Sequence, residues 1–101
     1  MSMTIEAKTK WYVYLARCAD GTLYCGIATD LSRRINEHNH SVKGARYTRS
    51  RRPVVMVWHQ RRATRSAALK REYAVKQLSR REKEQLIAQA ECKQVIKKVE
   101  K

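Results

Sequence analysis

Tyr14, Tyr24, Arg34, His38 and Glu72 are the side chains whose types and spacing offer the most chemistry. Glu72 is the only acid between His38 and Arg81, a stretch otherwise crowded with Lys and Arg. It falls on a helical stripe with Ala68, Leu69 and Val75, where an apolar residue is expected. A half-buried carboxylate is costly unless it is paired or bound to a metal. Two readings follow: an ion pair with a neighbouring Arg, or a ligand for a hard cation. Mg²⁺ is often held by one or two carboxylates plus substrate phosphates, so a single Glu in a basic groove would suffice. Arg34 and His38 stand four residues apart on one helix face. There Arg either clamps a phosphate or lies on the surface, and His either relays a proton or caps the helix. Tyr14 and Tyr24 read either as half-buried strand aromatics or as phenols acting on a water. A phenol titrating near pH ~10 is a poor base. A strongly cationic surround is expected to lower that value.

The surround is cationic. The 101 residues carry 23 Lys+Arg against 9 Asp+Glu, a formal charge of +14 and a pI near 10.3. Such a field favours polyanions: DNA, RNA or an anionic membrane face. Residues 41–53 read as a loop in which Lys43, Arg46, Arg49, Arg51 and Arg52, with Tyr47 among them and no acid, form a phosphate-tracking surface. No apolar run approaches the ~18 residues of a membrane span, and residues 1–10 lack the apolar core of a signal peptide. A soluble, cytoplasmic protein with no membrane partner is expected. Lys93, Lys97, Lys98 and Lys101 beside Val95, Ile96 and Val99 give too short an apolar face for membrane attachment. Cys18, Cys25 and Cys92 are odd in number and lack a C-x-x-C pair, so reduced thiols are expected.

The elements that must position these side chains can be read from pattern. Residues 11–18 are strand-like, Asp20-Gly21 is a turn signal, and 22–27 form the return strand. A three-residue loop, Ala19-Asp20-Gly21 with Gly21 at positive φ, pairs Cys18 with Thr22. Val13, Leu15, Leu23, Cys25 and Ile27 then share an aliphatic face, and Tyr12, Tyr14, Tyr24 and Gly26 share the other. Asp30 is placed to cap a helix running to about His40, with Leu31, Arg34, Ile35 and His38 on one face. Val54–Trp58 is continuously apolar and reads as a covered, central strand. Thr64 or Ser66 opens a helix with Ala68, Leu69, Val75 and Leu78 inward, ending at Ser79. Ser79-Arg80-Arg81-Glu82 spells a capping box for a last helix using Leu86, Ile87 and Ala90. The expected fold class is α/β: a small three-stranded, mainly antiparallel sheet flanked by helices, in the order β-β-α-β-α-α. Residues 1–10 form a flexible lead-in, 11–90 one domain, and 91–101 a basic helix extension or tail.

In order and spacing, these positions resemble the GIY-YIG nuclease superfamily over roughly Lys10 to Ala90. Tyr12-Val13-Tyr14 stands where the first tripeptide belongs and Tyr24-Cys25-Gly26 where the second does. Neither is the literal motif, but the tyrosines and Gly26 are kept. Arg34 matches the family's catalytic arginine, His38 a position that is His or Tyr in several members, and Glu72 in Leu69-Lys70-Arg71-Glu72 the metal-binding glutamate. Residues 24–34, 46–54 and 78–83 are similar to the small bacterial YhbQ-like group. The resemblance implies the GIY-YIG fold and hydrolysis of a DNA phosphodiester with one Mg²⁺ or Mn²⁺ on Glu72. It implies charge stabilisation by Arg34, a tyrosine (Tyr14, supported by Tyr24) acting on the attacking water, and His38 taking the proton. Tyr12 and Gly26 would be structural. DNA, branched or single-stranded, is the implied partner, with RNA kept open, little sequence specificity and a place in repair or processing. The rival reading is a non-catalytic DNA- or RNA-binding module on the same fold.

Overall fold

The computed structural model describes the backbone of residues 10–99 and the side chains of residues 10–90; of the expected lead-in at 1–10, all but Lys10 lies outside the described residues. Its elements are β1 (Trp11–Arg17), β2 (Leu23–Ala28), α1 (Leu31–His40), a single-turn α2 (Arg46–Arg49), β3 (Val55–Arg62), α3 (Arg65–Lys76) and α4 (Arg80–Val99). The three strands form one sheet in the order β2-β1-β3, and both pairings are antiparallel. The fold is therefore α/β with a three-stranded sheet flanked by helices.

The hairpin has the expected register: Val13 faces Ile27, Tyr14 faces Gly26 and Leu15 faces Cys25. The Cys18 amide donates to the Thr22 carbonyl at 2.9 Å, and Gly21 carries φ +87° in the turn, a conformation open to glycine for want of a Cβ. Asp20 completes the turn by accepting from the Thr22 amide and hydroxyl. This register separates two cores. On one face Val13, Leu15, Cys25 and Trp58 meet Ala68 and Val75 of α3 and Ile87 of α4. On the other, Tyr14, Ala16, Cys18, Ala28 and Val54 meet Leu31 and Ile35 of α1.

Three expectations need correction. β3 is an edge strand and β1 is central: Val13 to Ala16 have no exposed surface, whereas Val55 is 59% exposed. Strand pairing, not apolar content, sets this position, and the ladder to β1 carries β3 on through polar residues as far as Arg62 opposite Trp11. A bulge opposite Leu15 and Ala16 passes over Val57. Val54 lies outside the strand because Asn39 claims its backbone, donating to the Val54 carbonyl at 2.9 Å and accepting from its amide at 2.7 Å. Second, residues 41–53 are not all loop, since α2 forms within them. Third, α3 ends at Lys76 rather than Ser79, and Leu69 turns outward at 37% exposure.

The caps follow the sequence. The Asp30 carboxylate accepts from the Arg33 amide, and Thr64 Oγ1 accepts from the Ala67 amide. In the capping box the Ser79 amide donates to Glu82 at 2.8 Å and the Glu82 amide donates to Ser79 Oγ at 3.1 Å. The start of α4 is tied to the hairpin by Glu84, which accepts both guanidinium nitrogens of Arg17 at 2.8 Å and Arg80 Nε at 2.9 Å. Those charge-assisted bonds, Arg17 first, pull the Glu84 carboxyl down to about 2. The α4 backbone continues to Val99, so the 91–101 segment is helical over most of its length. The Cys92 side chain lies outside the described residues, and Cys18 and Cys25 are free and buried.

Candidate active site

The strand alternation that sends Val13 and Leu15 to one core sends Tyr14 to the other, over Gly26. Tyr14 and His38 are both fully buried, and the phenol oxygen lies 2.7 Å from His38 Nε2. On its other side, His38 Nδ1 lies 2.9 Å from Thr48 Oγ1, and Thr48 is fully buried as well. Tyr24 meets His38 edge-on with ring centroids 5.2 Å apart. It stacks in turn on Tyr47 at 6.0 Å, and the Arg51 guanidinium lies 4.0 Å over the Tyr47 ring. Arg34 sits one turn before His38, donating to Glu37 at 2.9 Å and to the Lys43 carbonyl at 3.0 Å.

Electrostatics around the pair run against one expectation. Burial pushes the Tyr14 phenol up to about 12, outweighing the hydrogen bond and positive charge of Arg34, which act to lower it. Burial first, and then Arg34, hold His38 down to about 4. At neutral pH the pair is therefore uncharged, with the proton on tyrosine and a free lone pair on histidine. The cationic surround does not lower Tyr14 because the ring is out of water, where an anion is poorly solvated.

Glu72 is on the opposite sheet face, in α3, and its carboxylate pairs with Lys76 Nζ at 3.2 Å rather than with an arginine. Its side chain is 17% exposed, within reach of solvent, whereas that of Lys76 is 53% exposed. Lys76 lines an open cleft of about 260 Å³ with Leu23, Tyr24, Cys25, Tyr47 and Lys83. The cleft runs along the β2 edge and joins the tyrosine side of the sheet to the Glu72 side. Glu72 already holds a cation there, on a flexible stem, so a divalent ion would replace an ammonium. Among the described residues no group of three or more His, Cys, Asp or Glu could cage a metal. The donor set thus fits a hard ion completed by phosphate and water, not a closed protein site.

The remaining basic residues separate into two sets. Lys43, Arg46 and Arg49 are exposed and have no side-chain partner among the described residues. Arg51 and Arg52 are committed within the fold. Arg51 donates to Asp20 at 3.1 Å and to the Tyr47 carbonyl at 2.8 Å. Arg52 closes the C-terminus of α1, donating to the carbonyls of His38 and, at 2.6 Å, Ser41. Tyr12 is half-buried against the edge of His59 at 5.9 Å, away from the Tyr14–His38 pair. Thr48 was not among the sequence candidates: ten residues from His38 within a cationic run, it meets the imidazole only through the turn of α2.

Residues 10–85 match the GIY-YIG catalytic domain. The chain belongs to the GIY-YIG family. Its relatives there include the UPF0213 protein of Desulfotalea psychrophila, 59% identical over 80% of this chain and 74% of that one. The UPF0213 protein of Staphylococcus saprophyticus is 48% identical over 79% of this chain and 96% of its own length. Two solution NMR structures share the GIY-YIG fold seen here. One is the UPF0213 protein BH0048 of Bacillus halodurans, 47% identical with a TM-score of 0.51 over 78% of this chain and 83% of that one. The other is the E. faecalis protein EF2693, 40% identical with a TM-score of 0.57 over 84% and 90%. The GIY-YIG domain is of nuclease type, and no helix among the described residues is long and apolar enough to cross a membrane.

Proposed function

We propose that this GIY-YIG protein is a metal-dependent endonuclease that hydrolyses DNA phosphodiester bonds with little sequence specificity, in DNA repair or processing in the cytoplasm. The observation that carries this reading is the buried, uncharged Tyr14–His38 pair beside Arg34, next to a cleft at the β2 edge lined by Tyr24 and by Lys76, the partner of Glu72. Glu72 would hold one Mg²⁺ or Mn²⁺ together with the bound substrate, and the ion would supply positive charge to offset the negative charge of the reacting phosphate. Arg34 stabilises the charge that builds on the phosphorane-like transition state. Substrate entry has to bring a water to the buried Tyr14 hydroxyl, which then takes a proton from it while passing its own to His38 Nε2. The water oxygen forms a bond to phosphorus, the bond to the leaving oxygen breaks, and that oxygen takes a proton from solvent. A phosphate against Arg34 offsets the charge that depresses His38, so the imidazole accepts a proton more readily once substrate is bound. Tyr24 keeps the imidazole in place from its edge. Lys43, Arg46 and Arg49 grip the backbone without reading bases, while Tyr47, with Arg51 over its ring, walls the cleft and Arg52 holds the helix that carries Arg34.

The test is Arg34→Ala on flapped, branched and single-stranded DNA and on RNA of the same sequence. Cleavage is expected to vanish while binding stays within a few-fold. A variant that cleaves normally removes Arg34 from the mechanism. Tight binding without cleavage by the wild-type chain, in Mg²⁺ and in Mn²⁺, assigns the fold to nucleic-acid binding alone.

A further inference from the structure

The geometry points to Thr48 as a positioning residue that selects the Nδ1–H tautomer of His38 and so reserves Nε2 for the Tyr14 hydroxyl. The inference deepens the proposed hydrolysis and rests on that reading for its catalytic consequence.

Proton bookkeeping over four atoms supports it. Thr48 Oγ1 has one hydrogen, and it lies 2.8 Å from the Ala45 carbonyl, which can only accept. With its proton directed there, Oγ1 meets His38 Nδ1 at 2.9 Å as an acceptor, so the hydrogen in that contact belongs to Nδ1. Nε2 is then unprotonated and faces the Tyr14 oxygen at 2.7 Å, where it accepts. The opposite tautomer fails at Tyr14. With a hydrogen on Nε2, the phenol would accept from His38, and its own proton would have no acceptor among the described residues. One contact pulls the other way, since the Ala45 amide lies 3.4 Å from Nδ1. That exceeds the ~2.7–3.2 Å of an ordinary N–H···O or N–H···N bond, whereas the Thr48 contact falls inside it. The chain Tyr14–His38–Thr48–Ala45 therefore runs in one direction, each hydroxyl or N–H donating to the next acceptor.

The direction matters for the proton step. A tyrosine that gives its proton to histidine needs an imidazole nitrogen with a lone pair aimed at it. In the resulting imidazolium the Nδ1–H must still have an acceptor, and Thr48 supplies both conditions. An Nε2–H imidazole would instead donate to Tyr14 and leave no site for its proton.

Full-length protein labelled with ¹⁵N at histidine, observed by two-bond ¹H–¹⁵N correlation at neutral pH, reads the tautomer without reference to activity. The wild-type His38 is expected to show a protonated-type shift at Nδ1 and a lone-pair-type shift at Nε2. Thr48→Val, which keeps the shape but loses the acceptor, is expected to move His38 to the Nε2–H form or a mixture. It should slow cleavage on the order of 10-fold or more at unchanged binding. Thr48→Ser should restore both the spectrum and the rate. An Nε2–H wild-type spectrum overturns the assignment even if no variant folds, and so does an Nδ1–H spectrum that survives Thr48→Val. If the spectra behave as expected but no chain cleaves nucleic acid, the hydrolytic reading fails while the tautomer assignment stands. If the tautomer moves and cleavage does not, the catalytic consequence is overturned.

Discussion

A Cβ built on Gly26 would lie 2.7 Å from the Tyr14 hydroxyl and 2.9 Å from Cζ, closer than such atoms approach. Tyr14 cannot yield, because its ring is fully buried and its hydroxyl is held by His38. Gly26→Ala is therefore expected to cost about 1–3 kcal/mol, as overpacking does, and to misalign the phenol so that cleavage falls further than stability explains. Chemical denaturation and a cleavage time course on the same variant check both. The same burial sets a pH dependence. Around His38 stand Arg34, Glu37, Arg52, Tyr14 and Tyr24, and its folded pKa near 4 lies below the ~6.5 of an unfolded histidine. The unfolded chain thus binds the proton first. The contribution is fully present above pH ~6.5 and is lost as pH falls toward 4. Urea melts from pH 7 to 4.5 should show a steeper loss for wild type than for His38→Gln. At this scale the sequence, through family resemblance, offered Tyr14, Arg34 and His38 as candidates, and the fold sets Tyr14 against His38, one helical turn from Arg34. The sequence could not show that burial would raise Tyr14, nor that Thr48 stands behind His38, because both depend on three-dimensional surroundings.

The hairpin register was legible because only one loop length separates aliphatic from tyrosine positions, and the caps at Asp30, Thr64 and Ser79 were legible because they are local. The place of β3 was not. Its run of Val and Met suggests burial on both faces, yet β1 takes the centre and Asn39 removes Val54 from the ladder. That amide clamp joins the end of α1, which carries Arg34 and His38, to the start of β3. Asn39→Ala strips partners from two part-buried backbone groups and is expected to cost about 1–3 kcal/mol. Amide exchange should rise at Val54 and along the second half of α1, with β2 little changed. Uniform exchange across the fold would contradict a local clamp. Ser79→Ala, which opens the capping box at an exposed position, should cost about 1 kcal/mol by the same denaturation and leave the Tyr14–His38 pair intact.

At the scale of the whole molecule, a charge of +14 predicts tight, salt-sensitive binding that is indifferent to sequence. The structure separates exposed cations from those bonded within the fold. Lys43, Arg46 and Arg49 are free to meet phosphates, and alanine at each should reduce the slope of log K against log salt by about 1. Arg52→Ala should instead lower thermal stability and leave the slope unchanged, since its guanidinium caps α1. Equal slopes for all four variants would contradict that division. Net charge and family resemblance were both open to a sequence reader, but the allocation of Arg52 to a helix end, and of Lys76 to Glu72, needed the folded chain. The central claim is that this basic fold cuts what it binds, and nicking of supercoiled plasmid tests it most directly. Wild type and Glu72→Ala are compared in Mg²⁺ or Mn²⁺ and in EDTA. The account predicts nicked and linear DNA only for wild type with metal. Nicking by Glu72→Ala at the wild-type rate, or by wild type in EDTA, would contradict it.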